Sequence, residues 1–336
     1  MSAEPMKSPG SMKSTGRIVT LTANPSLDRT ITLTAALQPG EVQSAASARE
    51  DAGGKGINVA RVIAAAGVDT VAVLPLAEDD PFAAALRASH VPARAVGIDG
   101  HVRANVTITD PAGVTTKLNL PGTTLSPYDV SELIAAVVDA SEGASWLVLA
   151  GSLPPGAGEH LYVDITAAVR ARWGADAPRI AIDTSGAALR AVVDEASPDL
   201  IKPNDEELAD LAALVISAVE MEPGADLAAA VLPVARALVP GKVAAALVTL
   251  GADGAVLVNA DGAWQATPPR IRVVSTVGAG DSSLAGYLLA DVEGADPGER
   301  LRRAVRYGAA AASLPGTQAP TPATLPVGDV VVTSLP

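Results

Sequence analysis

Three small residues and one carboxylate stand together in VGAGD at residues 277–281, where an extended run at 271–276 predicts a strand-to-helix turn. Gly278 and Gly280 have no Cβ atom, so backbone N–H groups can approach a ligand closely. These N–H groups lie at the positive end of the following helix, which favours an anion. Asp281, beside such an anion, could accept the proton of an attacking hydroxyl. The alternative is a glycine turn whose aspartate caps the helix.

A second glycine-rich segment, GGKGIN at residues 53–58, leads into an apolar run that predicts a buried helix ending at Ala66. Lys55 stands in the entry to this helix and could neutralise a phosphate group. The spacing differs from that of a P-loop, because Gly56 follows Lys55 directly. The alternative is a flexible turn with a solvated lysine.

The elements that must position these residues form an alternation of extended and helical patterns, which requires a largely parallel sheet flanked by helices. The first strand, residues 17–23, is followed by Asp28, which we expect just beyond the strand end. Polar or glycine-rich turns follow later strands at 151–156, 183–186, 203–207 and 250–254. Each turn alone is only a helix N-cap signal. Because parallel strands end at one edge, however, together they would line a single rim.

Two inserts, residues 30–52 and 97–121, interrupt the alternation. Apolar and polar side chains alternate with period two in residues 101–110, which predicts an amphipathic strand that returns as a hairpin. We expect a small sheet with a polar face toward a cleft and an apolar face covered by a second subunit. Arg103 and Asn105 belong to the polar face; the alternative is an ordinary solvated face.

Composition excludes several classes of function. A net charge of −13 argues against a nucleic-acid groove, and we find no apolar run long enough to cross a membrane. The chain has no cysteine, and its three histidines are scattered, so no metal-ligand spacing occurs. Residues 1–16 lack the apolar segment of a secretory signal, and we expect a cytoplasmic protein.

At 336 residues the chain fits one large α/β domain with a small appendage. The expected parts are a disordered arm at 1–16, an α/β core from 17–29, 53–96 and 122–325, a small sheet from 30–52 and 97–121, and a C-terminal tail at 326–336.

The motifs leave few chemistries open. Residues 278–280 fail as a dinucleotide fingerprint, because GxGxxG would require glycine where Ser283 stands. The chain has no GxSxG nucleophile turn. Anion binding beside one carboxylate fits phosphoryl transfer, and Asn204 with Glu207, one helical turn apart, could hold the waters of Mg²⁺.

These pieces resemble the ribokinase-like sugar kinases of the PfkB family over nearly all of residues 17–325. The stretches that carry the resemblance are GGKGINVARVIAAAG at 53–67, GSLPPG at 151–156, KPNDEEL at 202–208, TLGADGA at 249–255 and STVGAGDSSLAG at 275–286. LTANPSLDRTI at 21–31 and RANVTI at 103–108 are similar to the phosphosugar branch of that family. Lys55 favours its members other than the minor 6-phosphofructokinase type, which commonly carries glycine there.

The resemblance implies a ribokinase-like three-layer α/β fold, with a largely parallel central sheet and a small β-sheet lid. It implies ATP-dependent phosphorylation of fructose 1-phosphate at the 6-hydroxyl, giving fructose 1,6-bisphosphate and ADP. Tagatose 6-phosphate or fructose 6-phosphate remains an alternative substrate, and a non-catalytic sugar-phosphate-binding regulator is a distant alternative. ATP and Mg²⁺ are the implied cofactors, a monovalent cation such as K⁺ is allowed, and a homodimer through the lid is expected.

The resemblance also assigns roles by motif. Asp281 is the base, and Gly278, Ala279 and Gly280 form the anion hole for the transferring phosphoryl group. The substrate-binding set is Asp28, Gly53, Gly54, Lys55, Asn58, Arg103 and Asn105, in which Lys55, Arg103 and Asn105 hold the phosphate. The nucleotide set is Asn204, Thr249, Leu250, Gly251, Ala252, Asp253 and Gly254, with Gly280 and Asp281, and Glu207 serves Mg²⁺ through water. One departure is LPGT at 314–317, where the family often has an asparagine near the adenine.

Overall fold

The computed structural model describes residues 16–215 and 226–336, so nearly all of the arm expected at 1–16 lies outside the described residues. Within the described ranges the main sheet has the strand order β14-β13-β12-β11-β10-β9-β8-β1-β4-β5. Its strands are β1 (Ile18–Thr22), β4 (Thr70–Pro75), β5 (Ala93–Val96), β8 (Trp146–Ala150), β9 (Arg179–Asp183), β10 (Leu200–Ile201), β11 (Ala245–Thr249), β12 (Ala255–Asn259), β13 (Gly262–Thr267) and β14 (Val331–Leu335).

The main sheet is parallel from β11 to β5, and β12, β13 and β14 extend it in antiparallel fashion. β1 and β8 are buried along their whole length, as expected for parallel strands covered by helices on both faces. The prediction of a largely parallel sheet is therefore confirmed.

Helices cover the main sheet on both sides and complete the predicted three layers. One core cluster joins the sheet to α3–α7, and another joins its opposite face to α1, α8 and α9. The helices are α1 (Lys55–Ala65), α2 (Phe82–Ala88), α3 (Pro127–Ala140), α4 (Leu161–Trp173), α5 (Gly186–Glu195), α6 (Asp205–Val215), α7 (Leu227–Leu238), α8 (Ala279–Val292) and α9 (Pro297–Ala312). Across the described ranges, every helix is too short or too polar to cross a membrane.

The small sheet has the order β3-β2-β6-β7, with β2 (Ser26–Leu33), β3 (Ala45–Gly53), β6 (Arg103–Thr109) and β7 (Thr115–Asn119). The small sheet begins at Ser26, earlier than the expected residue 30, because β2 starts only four residues after the end of β1 at Thr22. Asp28 therefore lies inside β2, paired with Asn105 of β6, rather than in a loop beyond β1.

Two sequence expectations differ from the structure. Residues 271–276 form no strand; Val274 and Ser275 instead donate backbone hydrogen bonds to the Ala312 carbonyl, so the chain is anchored to the end of α9. The tail expected at 326–336 ends in β14, in which the β-branched residues Val331, Val332 and Thr333 pair with the edge of β13.

Helices α8 and α9 pack closely because Gly286 of α8 lies against the backbone of α9. A Cβ atom at Gly286 would lie 2.7 Å from the Arg303 carbonyl oxygen and 2.9 Å from the Tyr307 Cβ. This contact fixes α8, the helix that carries Asp281, against α9.

Gly286→Ala should reduce the free energy of unfolding by about 1–3 kcal/mol, because the methyl group meets rigid backbone. Gly97→Ala is the matched control, since a Cβ there meets nothing within 4 Å; a change within about 0.5 kcal/mol is expected. Urea denaturation measures both. Equal stability of the two variants would contradict this description of the interface.

Candidate active site

Helix α8 begins at the rim of the main sheet with Gly278 as its N-cap, at a φ of 76° that a residue with a Cβ atom rarely adopts. Asp281 lies in the first turn and is only 7% exposed. Its carboxylate reaches across to α1, where Asn58 Nδ2 donates a hydrogen bond of 2.8 Å to Oδ2. The side chain is therefore held toward the neighbouring helix beside the glycine-rich helix start.

Burial raises the pKa of Asp281 to about 6, and the nearby negative charge of Asp183 contributes in the same direction. The positive charges of Lys55 and Lys202 and the Asn58 hydrogen bond oppose this rise. A carboxylate with a pKa near 6 is ionised at neutral pH and is a stronger base than an ordinary aspartate.

Asp183 is the centre of a charged cluster; the sequence placed residue 183 in a turn at the rim but assigned no role to its side chain. Its side chain is fully buried, at the end of β9, and Lys55 Nζ donates to Oδ1 at 2.7 Å while Lys202 Nζ pairs with Oδ2 at 3.2 Å. Burial alone would raise the pKa of Asp183, but the two lysines outweigh it and hold the pKa below its ordinary value. The rule that parallel strands end at one edge could have found both residues, since Lys202 follows β10 directly.

Lys202 faces the start of α8. It is 4% exposed, and a Cβ atom at Gly280 would lie 3.2 Å from its Nζ. Burial lowers the pKa of Lys55, but the charges of Asp183 and Asp281 outweigh this and raise it above its ordinary value. Two ammonium groups therefore stand beside the helix N-terminus, a combination that favours a bound phosphate.

Asp28 and Asn105 come together on the polar face of the small sheet. Asp28 Oδ1 accepts hydrogen bonds from Ser26 Oγ at 2.7 Å and Asn105 Nδ2 at 3.1 Å, and burial raises its pKa. A Cβ atom at Gly53 would lie 2.1 Å from Asp28 Oδ2, so a larger residue there would displace the Asp28 carboxylate.

Arg103 lies on the same strand as Asn105. Arg103 Nε and Asn105 Oδ1 are buried, and neither has a hydrogen-bond partner among the described residues. Burial lowers the pKa of Arg103, and the charge of Asp28 opposes this effect. Buried groups of this kind usually have a partner, so a polar ligand fits this face.

The predicted nucleotide-side residues occupy the next part of the rim. Asn204 bridges to Thr249 at the end of β11, and a tight turn over residues 250–254 follows, closed by the Leu250 N–H donating to the Gly254 carbonyl at 2.8 Å. Asn204 and Glu207 cap α6 reciprocally: the Asn204 N–H donates to Glu207 Oε2 at 3.0 Å and the Glu207 N–H to Asn204 Oδ1 at 2.7 Å. Glu207 also raises the pKa of Lys55, so it shares the electrostatic environment of the cluster.

A buried carboxylate beside a glycine-rich helix start, with paired lysines at the carboxyl edge of a parallel sheet, fits phosphoryl transfer to a hydroxyl group. The sequence profile of pfkB family carbohydrate kinases matches residues 21–324. The chain belongs to this family and is an ATP-dependent phosphotransferase, which confirms the resemblance and the fold class deduced from the sequence.

The chain is similar to several known members of the family. It is 35% identical over 317 residues to 1-phosphofructokinase of Rhodobacter capsulatus, covering 91% of this chain and 93% of that protein. It is 33% identical to ATP-dependent 6-phosphofructokinase isozyme 2 of Escherichia coli, covering 90% and 94% of the two chains. Phosphofructokinase-2 of Escherichia coli, crystallised with potassium, superposes with a TM-score of 0.81 at 30% identity, over 92% of this chain and 96% of that one.

The pKa of about 6 for Asp281 predicts the pH dependence of the reaction. A base must be deprotonated, so kcat/KM should be constant above neutrality and should approach a tenfold loss per pH unit well below pH 6. Asp281→Asn should retain sugar binding and lose about 10²–10⁴-fold in kcat. The residual activity of this variant should no longer fall at low pH. If the fall persisted, it would come from ionisation of the phosphorylated substrate and not from Asp281. Near-normal turnover by this variant would remove Asp281 from the role of base.

Proposed function

We propose that this chain is a kinase that transfers the terminal phosphoryl group of ATP to the 6-hydroxyl of fructose 1-phosphate in the cytoplasm. The hydroxyl oxygen attacks the terminal phosphorus, its proton passes to Asp281, and ADP leaves, giving fructose 1,6-bisphosphate. The observation that carries the proposal is the buried Asp281 carboxylate beside the start of α8, with a pKa raised to about 6.

The sugar phosphate lies, in this proposal, between α1 and the small sheet. Asp28, Gly53, Gly54 and Asn58 hold the sugar hydroxyls, and Lys55, Arg103 and Asn105 hold the phosphate. Lys55 uses one of its three ammonium protons on Asp183, which leaves two for phosphate oxygens. The partnerless Arg103 Nε and Asn105 Oδ1 supply further polar groups on the same side.

The nucleotide lies along residues 249–254, with its terminal phosphate at Gly278, Ala279 and Gly280. Lys202, beside Gly280, neutralises charge that develops on the transferring group. Magnesium supplies further neutralisation of the phosphates when bound. In this proposal the phosphates and water supply most of the ligands of the ion, as is usual for Mg²⁺ bound with a nucleotide. Asn204 and Glu207 would hold such waters; the cap uses Glu207 Oε2, leaving Oε1 for this purpose.

The proposal also allows the chain to bind a monovalent cation such as K⁺. A relative of 30% identity was crystallised in complex with this ion. The monovalent cation takes part in no step of the proposed phosphoryl transfer.

The choice of fructose 1-phosphate rests on relatives and on one residue. Several relatives at 33–35% identity are named 1-phosphofructokinase, and Lys55 fits the members that place a cation at this position. Fructose 6-phosphate is the second candidate, favoured by a 33% identical 6-phosphofructokinase. A non-catalytic regulator is disfavoured, because a binding protein does not need a buried base.

The small sheet is also the proposed dimer interface. Register places Ile31, Val106, Ile108 and Leu118 on the face opposite Asp28, and Leu118 is 54% exposed. The same face also carries the exposed Arg29–Glu50 ion pair, so a second copy would cover an apolar patch beside a charged pair. A relative, Escherichia coli phosphofructokinase-2, has been solved in a tetrameric inhibited form.

A substrate comparison tests the proposed reaction. With ATP and Mg²⁺, kcat/KM for fructose 1-phosphate should exceed that for fructose 6-phosphate and tagatose 6-phosphate. Arg103→Gln should raise KM by about 10–100-fold, since a lost charged hydrogen bond costs about 1.5–3 kcal/mol, with a smaller effect on kcat. A clear preference for either 6-phosphate would overturn the substrate choice, and an unchanged KM in Arg103→Gln would move the phosphate elsewhere.

Light scattering at micromolar concentration tests the interface. The wild-type chain should be a dimer, and Leu118→Glu should shift it toward the monomer because a charge then lies in the apolar contact. Val331→Glu is the matched control, since Val331 is similarly exposed (58%) on the main sheet. A monomeric wild type, or a dimer unaffected by Leu118→Glu, would contradict the proposal.

A further inference from the structure

Arg61 is a half-buried arginine on the face of α1 that also carries Asn58, and it belongs to none of the proposed substrate, nucleotide or metal sets. Its Nη2 donates to the Ala52 carbonyl at 2.6 Å, and its Nη1 donates to the Thr317 carbonyl at 3.0 Å and to Asn58 Oδ1 at 3.3 Å. All three acceptors are uncharged. None of the described carboxylates pairs with Arg61 within the distance of an ion pair.

This half-buried arginine has lost part of its hydration without gaining an ion pair, so its placement calls for an explanation. Burial lowers the pKa of Arg61, although the more distant charges of Asp51, Asp28 and Asp281 oppose this effect. The three acceptors come from separate parts of the chain: the end of β3, helix α1 and the loop after α9. A planar guanidinium can hold several acceptors in a fixed geometry, which lysine cannot do.

The contact with Asn58 determines which way its amide faces. Arg61 only donates hydrogen bonds, so the group turned toward it must be the amide oxygen. The ionised Asp281 only accepts, so the group turned toward it must be the amide nitrogen. Arg61 and Asp281 therefore select the same orientation of Asn58 from opposite sides. Without Arg61, the bond to Asp281 alone would hold the amide, and the amide oxygen would lose the partner that fixes its position.

The other two contacts place Arg61 between the two halves of the proposed site. Ala52 directly precedes Gly53, which lies against Asp28 on the sugar side. Thr317 belongs to the loop at 314–317, where the chain departs from the family pattern on the nucleotide side. Gly316 in this loop also approaches β3, since a Cβ atom there would lie 2.7 Å from Arg49 Nη2.

We propose that Arg61 is a positioning residue for the kinase reaction, acting through Asn58 to orient the Asp281 carboxylate. Its bonds to the Ala52 and Thr317 carbonyls hold the guanidinium in the position from which it reaches Asn58. The role rests on the proposed function only in that Asp281 is the base, and it holds for whichever sugar phosphate the enzyme prefers.

A double-mutant cycle tests this role. Arg61→Met should lower kcat/KM by about 10–100-fold on the best of the three sugar phosphates, as expected for a misplaced catalytic group. In an Asn58→Ala background the same substitution should cost less than about threefold, because the route to Asp281 is already lost. Arg170→Met is the matched control: Arg170 also holds two backbone carbonyls, those of Ala196 and Ser197, but away from the rim. It should leave kcat/KM within about twofold.

The pH profile gives a second readout, which a merely structural role would not move. Arg61→Met removes an ordered amide donor and a nearby positive charge, so the acid limb of kcat/KM should shift to higher pH. The other groups that face Asp281, namely Asp183, Lys55 and Lys202, remain the same in both enzymes. If Arg61→Met fails to fold, Arg61→Lys replaces it in the test. Lysine keeps the positive charge but lacks the planar guanidinium and its set of N–H donors, so this variant should also lose turnover.

The outcomes separate this inference from the proposed function. Additive losses in the double-mutant cycle, or an Arg61→Met enzyme that matches Arg170→Met with an unmoved acid limb, would overturn the role of Arg61 alone. Turnover on a 6-phosphate sugar would overturn the substrate choice and leave the Arg61 test intact on that sugar. Absence of turnover on all three sugar phosphates would overturn both.

Discussion

The structure depends on keeping two carboxylates, Asp183 and Asp281, out of water and close enough to affect each other. Two buried like charges are unfavourable, and only compensation by nearby positive groups makes them stable. Lys55 and Lys202 supply this compensation through Asp183, whose carboxylate they share. Asp183 thereby remains ionised, while Asp281 is left with a pKa near 6 and remains available as a base.

In the proposed function, the same compensation also forms the site for a phosphate. Each lysine uses only part of its hydrogen-bonding capacity on Asp183, and Lys202 stands against the start of α8. A phosphate that arrives at the helix N-terminus therefore meets backbone N–H groups and ammonium groups that are already in place. Preorganised charge of this kind stabilises a transition state without reorganisation during the reaction. The chain as a whole carries a charge of −13, so this positive region is local.

The fold brings these groups together by one topological rule. β9, β10 and β11 are parallel neighbours, and Asp183, Lys202 and Thr249 lie at or just beyond their carboxyl ends. This part of the site could be predicted from the sequence, because hydrophobic runs and the polar turns that follow them locate such ends. The motif at 277–281 was equally visible, although the strand expected before it does not form. The sequence could not show which side chains pair with each other. The contacts of Lys55 and Lys202 with Asp183, and the place of Asp28 within β2, depend on strand register and on packing between distant segments.

The central claim is that Asp281 stands beside the attacking hydroxyl while the terminal phosphate of ATP lies at the start of α8. A crystal structure with fructose 1-phosphate and a non-hydrolysable ATP analogue tests it most directly. We predict an Asp281 carboxylate oxygen within about 3.2 Å of the sugar O6, and the terminal phosphate against residues 278–280. A primary hydroxyl out of reach of Asp281, or a triphosphate bound at another edge of the sheet, would contradict it.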